Sequence, residues 1–337
     1  MKNPTRILIC RTDSIGDVVL TFPVAAVLKK HYPESEIYFL GRNYTKPVIE
    51  SCNYINYFLS WDDFLKQDES SRVLKLKELN LDAVLHVFPR KEIVMLCKKA
   101  LIPLRIGTTG RIYNWLGCNK RIALSRKNSD LHEAQLNIKL LKGFGIEENI
   151  SLDQIPDYYG LNVPKIYPSE LIQHLLTPEF RVILHPKSKG SAREWGLPNF
   201  LELARILSSH NIKVLLCGTS DEGILIKQEC PEILTYTTDL TGRLSLQEYM
   251  SLISQSEALV AASTGPLHLA AALGKHAIGI YPPIRPMHPG RWAALGCNVK
   301  IFVLNKDCED CRKGGKCHCM EEIAPNDVAL YLISKTQ

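Results

Sequence analysis

No run of consecutive apolar residues in the chain approaches the roughly 18 to 20 that a bilayer-spanning helix needs, which excludes an integral helical membrane protein. The start, Met1-Lys2-Asn3-Pro4, leads straight into a strand with no apolar signal core, so the expected location is the cytoplasm. No low-complexity tract is long enough to imply disorder. Two nucleotide-binding fingerprints are missing. The loop after the first strand holds a single glycine, Gly16, and no G-x-G-x-x-G, which argues against a nicotinamide dehydrogenase; G-x-x-x-x-G-K is absent too, which excludes a Walker A loop. No carboxylate pair in the strand-following loops reads as a metal-binding pair, and Asp62-Asp63 belongs to a separate polar stretch.

What is present is an ordinary globular composition, 45% hydrophobic and 23% charged, over 337 residues. At about 150 residues per domain that length predicts roughly two domains, each able to bury its own core, and argues against a small binding module. The net charge of +6 is unevenly placed. Residues 1–165 hold 24 Lys and Arg against 18 Asp and Glu, whereas residues 166–337 hold 17 of each. Within the first half, residues 90–127 carry ten bases and one acid, Glu92. An anionic partner is expected there. Nucleic acid is not favoured, because only Tyr113 and Trp115 are available in that run for stacking.

Periodicity predicts the same architecture twice. A strand at 6–10 precedes a helical pattern over 18–30, and strand-like runs at 37–40 and 83–87 flank a helical stretch near 71–79. A further helix is expected over about 130–143. Residues 146–170, with four Pro and Gly breaks and no sustained period, read as a connection. Apolar runs at 182–185, 213–217, 258–262 and 277–281 then alternate with helices at 198–209, 245–256 and 266–273, and a last helical segment follows Pro325. The prediction is an α/β chain of two doubly wound domains, 1–165 and 166–337, facing a cleft, the last helix closing the chain or packing back on the first domain. Ligands of such sheets bind at the carboxyl ends of the strands, so chemistry is sought in the loops that follow them.

Three such loops stand out. In Arg11-Thr-Asp-Ser-Ile-Gly-Asp17, Asp13 lies just before the helix and reads either as a general base or as a loop-bracing acceptor; Asp17 reads as a first-turn cap or as a functional carboxylate. In the loop 185–195, Lys187, Ser188, Lys189, Gly190, Ser191 and Arg193 suit a phosphate, the alternative being a solvated basic loop. In 263–274, Ser263, Thr264, Gly265 and Pro266 open a short helix whose bare N-terminus suits a pyrophosphate, with His268 in its first turn. Asp221 and Glu222 either accept from sugar hydroxyls or cap the helix after them.

R-T-D-S-I-G-D-V at 11–18, A-R-E-W at 192–195 and S-T-G-P-L-H-L-A-A-A-L-G at 263–274 together resemble glycosyltransferase family 9, the lipopolysaccharide heptosyltransferase family. R-I-G at 105–107, His132-Glu133, L-T-G-R-L-S-L at 240–246 and C-M-x-x-I at 319–323 are weaker echoes, and the likeness runs in order along nearly the whole chain. The resemblance implies a GT-B architecture of two Rossmann-like domains, the acceptor on the first and an ADP-activated heptose on the second. It implies inverting, metal-independent transfer without a cofactor, Asp13 matching the family's general base and Thr264 to His268 its donor pyrophosphate turn. Lys187, Ser188, Arg193, Glu222, Ser263 and Gly265 complete the expected donor site. Arg90, Lys91 and Arg111 are expected to meet an anionic lipopolysaccharide inner core, with the protein peripheral at the inner face of the cytoplasmic membrane. Two positions depart from the family pattern: Ser263 stands where Asp is usual, and Arg193 where Lys is common. A nucleotide-sugar 2-epimerase of the same architecture and a non-catalytic sugar-nucleotide-binding protein are the alternatives.

Of eleven cysteines, seven are scattered in settings that suit free thiols. Cys308, Cys311, Cys317 and Cys319 cluster, with His318 among them, and read as a structural metal set, free thiols or a disulfide.

Overall fold

The computed structural model describes residues 3–126, 129–166, 179–284, 287–305 and 318–336. The chain forms two compact units, Met1–Asn162 and Val163–Gln337. No helix among the described residues is long and apolar enough to cross a membrane.

The first unit is built on β1 (Arg6–Cys10), β2 (Glu36–Gly41), β3 (Tyr57–Ser60), β4 (Ala83–His86), β5 (Leu104–Thr108) and β6 (Lys120–Ile122), in the sheet order β3-β2-β1-β4-β5-β6. All its pairings are parallel. The second unit holds β7 (Arg181–His185), β8 (Lys213–Leu216), β9 (Thr238–Asp239), β10 (Ala258–Ala262), β11 (His276–Ile280) and β12 (Val299–Phe302), in the order β12-β11-β10-β7-β8-β9, again all parallel. Read from each unit's first strand, the two orders are identical, the Rossmann-like arrangement expected from the sequence. In each, the direction of winding reverses beside the first strand, between β1 and β4 and between β7 and β10.

The central strands are the ones that alternation of apolar runs predicts, because a parallel strand covered on both faces needs no polar side. Ile7, Leu8 and Ile9 are all fully buried, as are Ile183, Leu184, Leu259 and Val260. The strands absent from the prediction are mostly edge or near-edge ones. Tyr57–Ser60, Lys120–Ile122, Thr238–Asp239 and Val299–Phe302 contain no fully buried residue, so one flank remains polar and no apolar run marks them.

Two predicted segments, a helix and a connection, are modified locally. The pattern over 18–30 is two helices, α1 (Ile15–Val19) and α2 (Phe22–His31). Pro23 cannot donate into a continuous helix, and the Thr21 hydroxyl instead donates to the Asp17 carbonyl at 2.8 Å. Residues 146–162 are a worked part of the first unit: Ile155 and Tyr159 are buried, Leu161 bridges to Cys52, and Asn53 N–H donates to the Gly160 carbonyl at 2.8 Å.

One face of the first sheet is covered by α3 (Lys91–Lys99), whose Ile93, Leu96 and Cys97 share a core with Leu8, Cys10 and Val84. In the second unit the core gathers around α6 (Leu197–Ser209), where Trp195 and Phe200 meet Val328, Ala329 and Leu332 of the last helix, Pro325–Ile333. That helix is therefore part of the second unit's core. Trp195 is fully buried, lies edge-on to Phe200 at 5.0 Å and donates its indole N–H to the Ile323 carbonyl at 3.0 Å. Trp195→Ala should cost about 3–5 kcal/mol in denaturant unfolding of the second unit. Trp195→Phe, which keeps most of the volume and loses the N–H, should cost less; an unchanged midpoint for the alanine variant would contradict this core role.

Candidate active site

The first unit's site begins with a charge that the fold buries. Arg11 follows β1 directly and is 2% exposed. Its guanidinium lies 3.0 Å from Asp13 and 3.3 Å from Glu133, is paired with Asp17, and sits 5.4 Å above the Phe88 ring. Burial pushes the Arg11 pKa down, but Asp17, Glu133 and Asp13 together outweigh it and raise the pKa. A guanidinium can do this where an ammonium cannot, because its planar fork offers several donors at fixed angles.

Glu133 opens α5 (Glu133–Lys139), is fully buried, and takes a second guanidinium, that of Arg126 at 2.9 Å. Arg126 also donates to the Val87 carbonyl and to Asn137 Oδ1, each at 2.9 Å. Asn137 in turn donates to the Leu20 carbonyl at 3.0 Å. This network fixes the loop that carries Asp13. One Asp13 oxygen faces Arg11, and the other lies 3.1 Å from Arg90, just beyond β4. The Asp13 side chain is 17% exposed, and its main-chain carbonyl accepts from the Tyr44 hydroxyl at 2.7 Å. Asp13 and Arg90 thus span the switch point between β1 and β4, where such sheets bind ligands.

The basic run 90–127 does not form one surface. Arg90 is committed to Asp13, Lys99 pairs with Glu69 at 2.7 Å, and Arg126 turns inward. Arg105 donates to the main-chain carbonyls of Gly117 and Ile102. Arg90, Lys91, Lys98, Lys99, Arg111 and Lys120 are exposed, Arg90 and Lys99 within those ion pairs, and Lys127 lies outside the described residues. Arg11, Glu133 and Arg126 were not predicted as site residues; Asp17, read from the sequence as a cap or as a functional carboxylate, pairs with Arg11. The available signal was a lone arginine directly after an apolar strand with two acids close behind it.

In the second unit the loop after β7 is braced by Glu194. It accepts from the Ser188 N–H at 2.9 Å and hydroxyl at 3.1 Å, and that hydroxyl lies 2.9 Å from the Ala192 carbonyl. Lys187, expected at the phosphate, lies 2.7 Å from Glu229 and 3.7 Å from Glu194, so its charge is already met by two acids. Lys189 and Gly190, with φ of 49° and 75°, form the exposed tip. The half-buried Arg193 has no ion-pair or hydrogen-bond partner among the described residues. Behind the loop, the His185 ring stacks on Tyr249 at 5.9 Å, and its Nδ1 lies 3.1 Å from the Tyr249 hydroxyl. Burial pushes the His185 pKa down, which keeps the ring neutral near pH 7. This pair was not predicted.

The loop after β10, the strand that follows α8 (Leu246–Gln255), leads into α9 (Gly265–Ala272). Thr264 is its N-cap and is 6% exposed; its hydroxyl is buried with no hydrogen-bond partner among the described residues, and Pro266 stands in the first turn. Ser263 and Gly265 are half-buried beside it, and His268 is buried at 4% exposure. Glu222 resolves toward capping: its Oε2 accepts from the Thr219 N–H at 2.7 Å and hydroxyl at 2.9 Å at the start of α7 (Ser220–Glu229). The Thr219-x-x-Glu222 spacing is itself a capping-box signature. Among the described residues no three His, Cys, Asp or Glu side chains converge as metal ligands. Of the clustered cysteines, Cys308, Cys311 and Cys317 lie outside the described residues, and Cys319 is buried. The first unit thus presents an oriented carboxylate between two guanidiniums, and the second a helix start and a polar loop suited to an anion.

The family model for glycosyltransferase family 9 (heptosyltransferase) matches residues 75–320. The lipopolysaccharide core heptosyltransferase OpsX of Haemophilus influenzae is 23% identical over 317 residues, covering 91% of this chain and 87% of that one. Lipooligosaccharide heptosyltransferase 2 of the same organism is 25% identical over 300 residues, covering 84% of each. Among solved structures, the glycosyl transferase family 9 protein of Veillonella parvula superposes with a TM-score of 0.81 at 19% identity, covering 98% of both chains. Escherichia coli ADP-heptose lps heptosyltransferase II gives 0.75 at 18%, covering 98% of this chain and 99% of that one. The architecture is GT-B.

Removing one partner from a buried charge network leaves the others uncompensated. Glu133→Gln should therefore lower the stability of the first unit by about 3–5 kcal/mol. The surface change Lys91→Gln should stay within about 0.5 kcal/mol. Equal melting curves for the two variants would show that Glu133 does not carry the network.

Proposed function

The chain belongs to glycosyltransferase family 9, and from that premise we propose that it moves a heptose from an ADP-activated donor onto the anionic inner core of a lipopolysaccharide, with inversion and without a metal ion. It is a glycosyltransferase. The observation that carries the reading is the Asp13 carboxylate, held between Arg11 and Arg90 at the end of β1.

Asp13 accepts the proton of an acceptor hydroxyl as that oxygen attacks the anomeric carbon opposite the departing diphosphate, through an oxocarbenium-like transition state. One carboxylate suffices because the leaving group is a diphosphate that needs no protonation. Arg11, itself held by Asp17 and Glu133, is a positioning residue for that carboxylate. The charge that develops on the diphosphate is met by Arg193, Lys189 and the start of α9 with Ser263, Thr264 and Gly265. Lys187 is neutralised by Glu194 and Glu229 and braces the loop. The Thr264 hydroxyl, unpartnered among the described residues, and the buried His268 support an anion at that helix start. Lys91 and Arg111, both exposed, supply charge for the phosphates and carboxylates of the acceptor. The protein works peripherally at the inner face of the cytoplasmic membrane, where its acceptor is anchored.

An epimerase would act on the donor alone and would need no acceptor hydroxyl. Incubation with ADP-heptose, with and without deacylated inner core, separates the two: acceptor-dependent ADP release supports transfer. Asp13→Asn should reduce that release by at least about 10²-fold while leaving ADP affinity nearly unchanged. Turnover at the wild-type rate would exclude Asp13 as the base.

A further inference from the structure

One helix face of the first unit is used neither by its core nor by the proposed transfer. In α4 (Ile112–Gly117), Ile112, Trp115 and Leu116 are 83%, 57% and 60% exposed. Their spacing, i, i+3 and i+4, puts them on one side of the helix. The opposite side is fixed. Asn114 is fully buried and donates to the Thr108 carbonyl at 2.8 Å, and the Tyr113 hydroxyl donates to the Pro89 carbonyl at 2.7 Å. Gly117 lies so close to Val94 of α3 that a methyl group there would collide with the valine side chain. The helix therefore cannot roll to hide its apolar side.

That side is also organised. The Trp115 indole N–H donates to the Thr109 carbonyl at 3.0 Å, and the Arg121 guanidinium lies over the ring at 4.6 Å. Arg105 donates to the carbonyls of both Gly117 and Ile102, which ties the end of α4 to the turn carrying Leu101, 72% exposed. The charges nearby in sequence are cationic, with Arg111 and Lys120 exposed and Glu92 the one acid in residues 90–127. A rigid apolar ridge with a cationic fringe matches an anionic lipid surface. A tryptophan with one polar edge is suited to the headgroup boundary.

We propose that this face docks the first unit on an anionic phospholipid bilayer, with Ile112, Trp115 and Leu116 entering the headgroup boundary and Lys120 and Arg121 meeting lipid phosphates. Its purpose, delivery of the enzyme to a lipid-anchored acceptor, rests on the function proposed above; the docking itself does not. The test is flotation of the full chain with phosphatidylcholine vesicles, with and without phosphatidylglycerol. Wild type should float with the anionic vesicles only, its tryptophan emission shifting to the blue. The double variant Ile112→Ser/Leu116→Ser should lose at least tenfold in partitioning. Because both side chains are solvent-facing, the variant should keep the wild-type circular dichroism and its transfer to soluble deacylated core, while transfer to vesicle-embedded acceptor falls. Absence of wild-type flotation, or equal flotation of the variant, overturns the proposal. So does a dimer in sedimentation that the double variant abolishes while vesicles stay unbound, since the face would then join two copies. Vesicle binding without transfer to either acceptor would sustain the docking face and reject the function.

Discussion

The burial of one guanidinium organises the first unit. A charge removed from water at the end of β1 is tolerated only with compensation, and Arg11 takes it from Asp13 and Asp17 in its own loop and from Glu133, 122 positions along the chain. That distant pair holds α5 against the β1 loop, and Arg126 extends the hold to Val87 and Asn137. The exposed end of this network is the Asp13 carboxylate. Its orientation is thus a consequence of electrostatic compensation deep in the fold, and Arg90 completes it from the neighbouring strand's loop.

The two units solve the same topological problem and use the result differently. Both wind outward in two directions from a buried first strand, so both leave the loops after their first and fourth strands side by side. In the first unit those loops carry a carboxylate and a guanidinium in contact. In the second they carry a loop stiffened by Glu194 and a helix start with a buried hydroxyl that has no partner among the described residues. The small side chains of β10 and α9 let that helix lie close on the sheet, which sets where its N-terminus falls.

Charge along the chain is a poor guide to charge at the surface. The basic run 90–127 reads as one anionic-partner surface, yet Arg105 and Arg126 spend their donors on main-chain carbonyls and interior acids, and Arg90 belongs to Asp13. Lys187 likewise looks like a phosphate ligand from its neighbours in sequence and is neutralised by Glu229, 42 positions away. Within the same run, Ile112, Trp115 and Leu116 form an exposed apolar ridge with Arg121 over the indole, which no count of charges reveals.

The sequence by itself determined the alternation of strands and helices, the repetition of that alternation in two halves, and the loops where chemistry would be found. It did so because strands covered on both faces must be continuously apolar, and because helix starts, caps and phosphate loops are written within a few residues. The division of 18–30 into two helices at Pro23 was local information too. Only the tertiary structure decided which acids Arg11 keeps, that Glu222 turns back to its cap, that the half-exposed segments 57–60, 120–122, 238–239 and 299–302 join the sheets, and that one side of α4 faces solvent. Each of these depends on which groups meet across long stretches of chain, and the free energy of burying or pairing a side chain is set by those neighbours and not by its own position in the sequence.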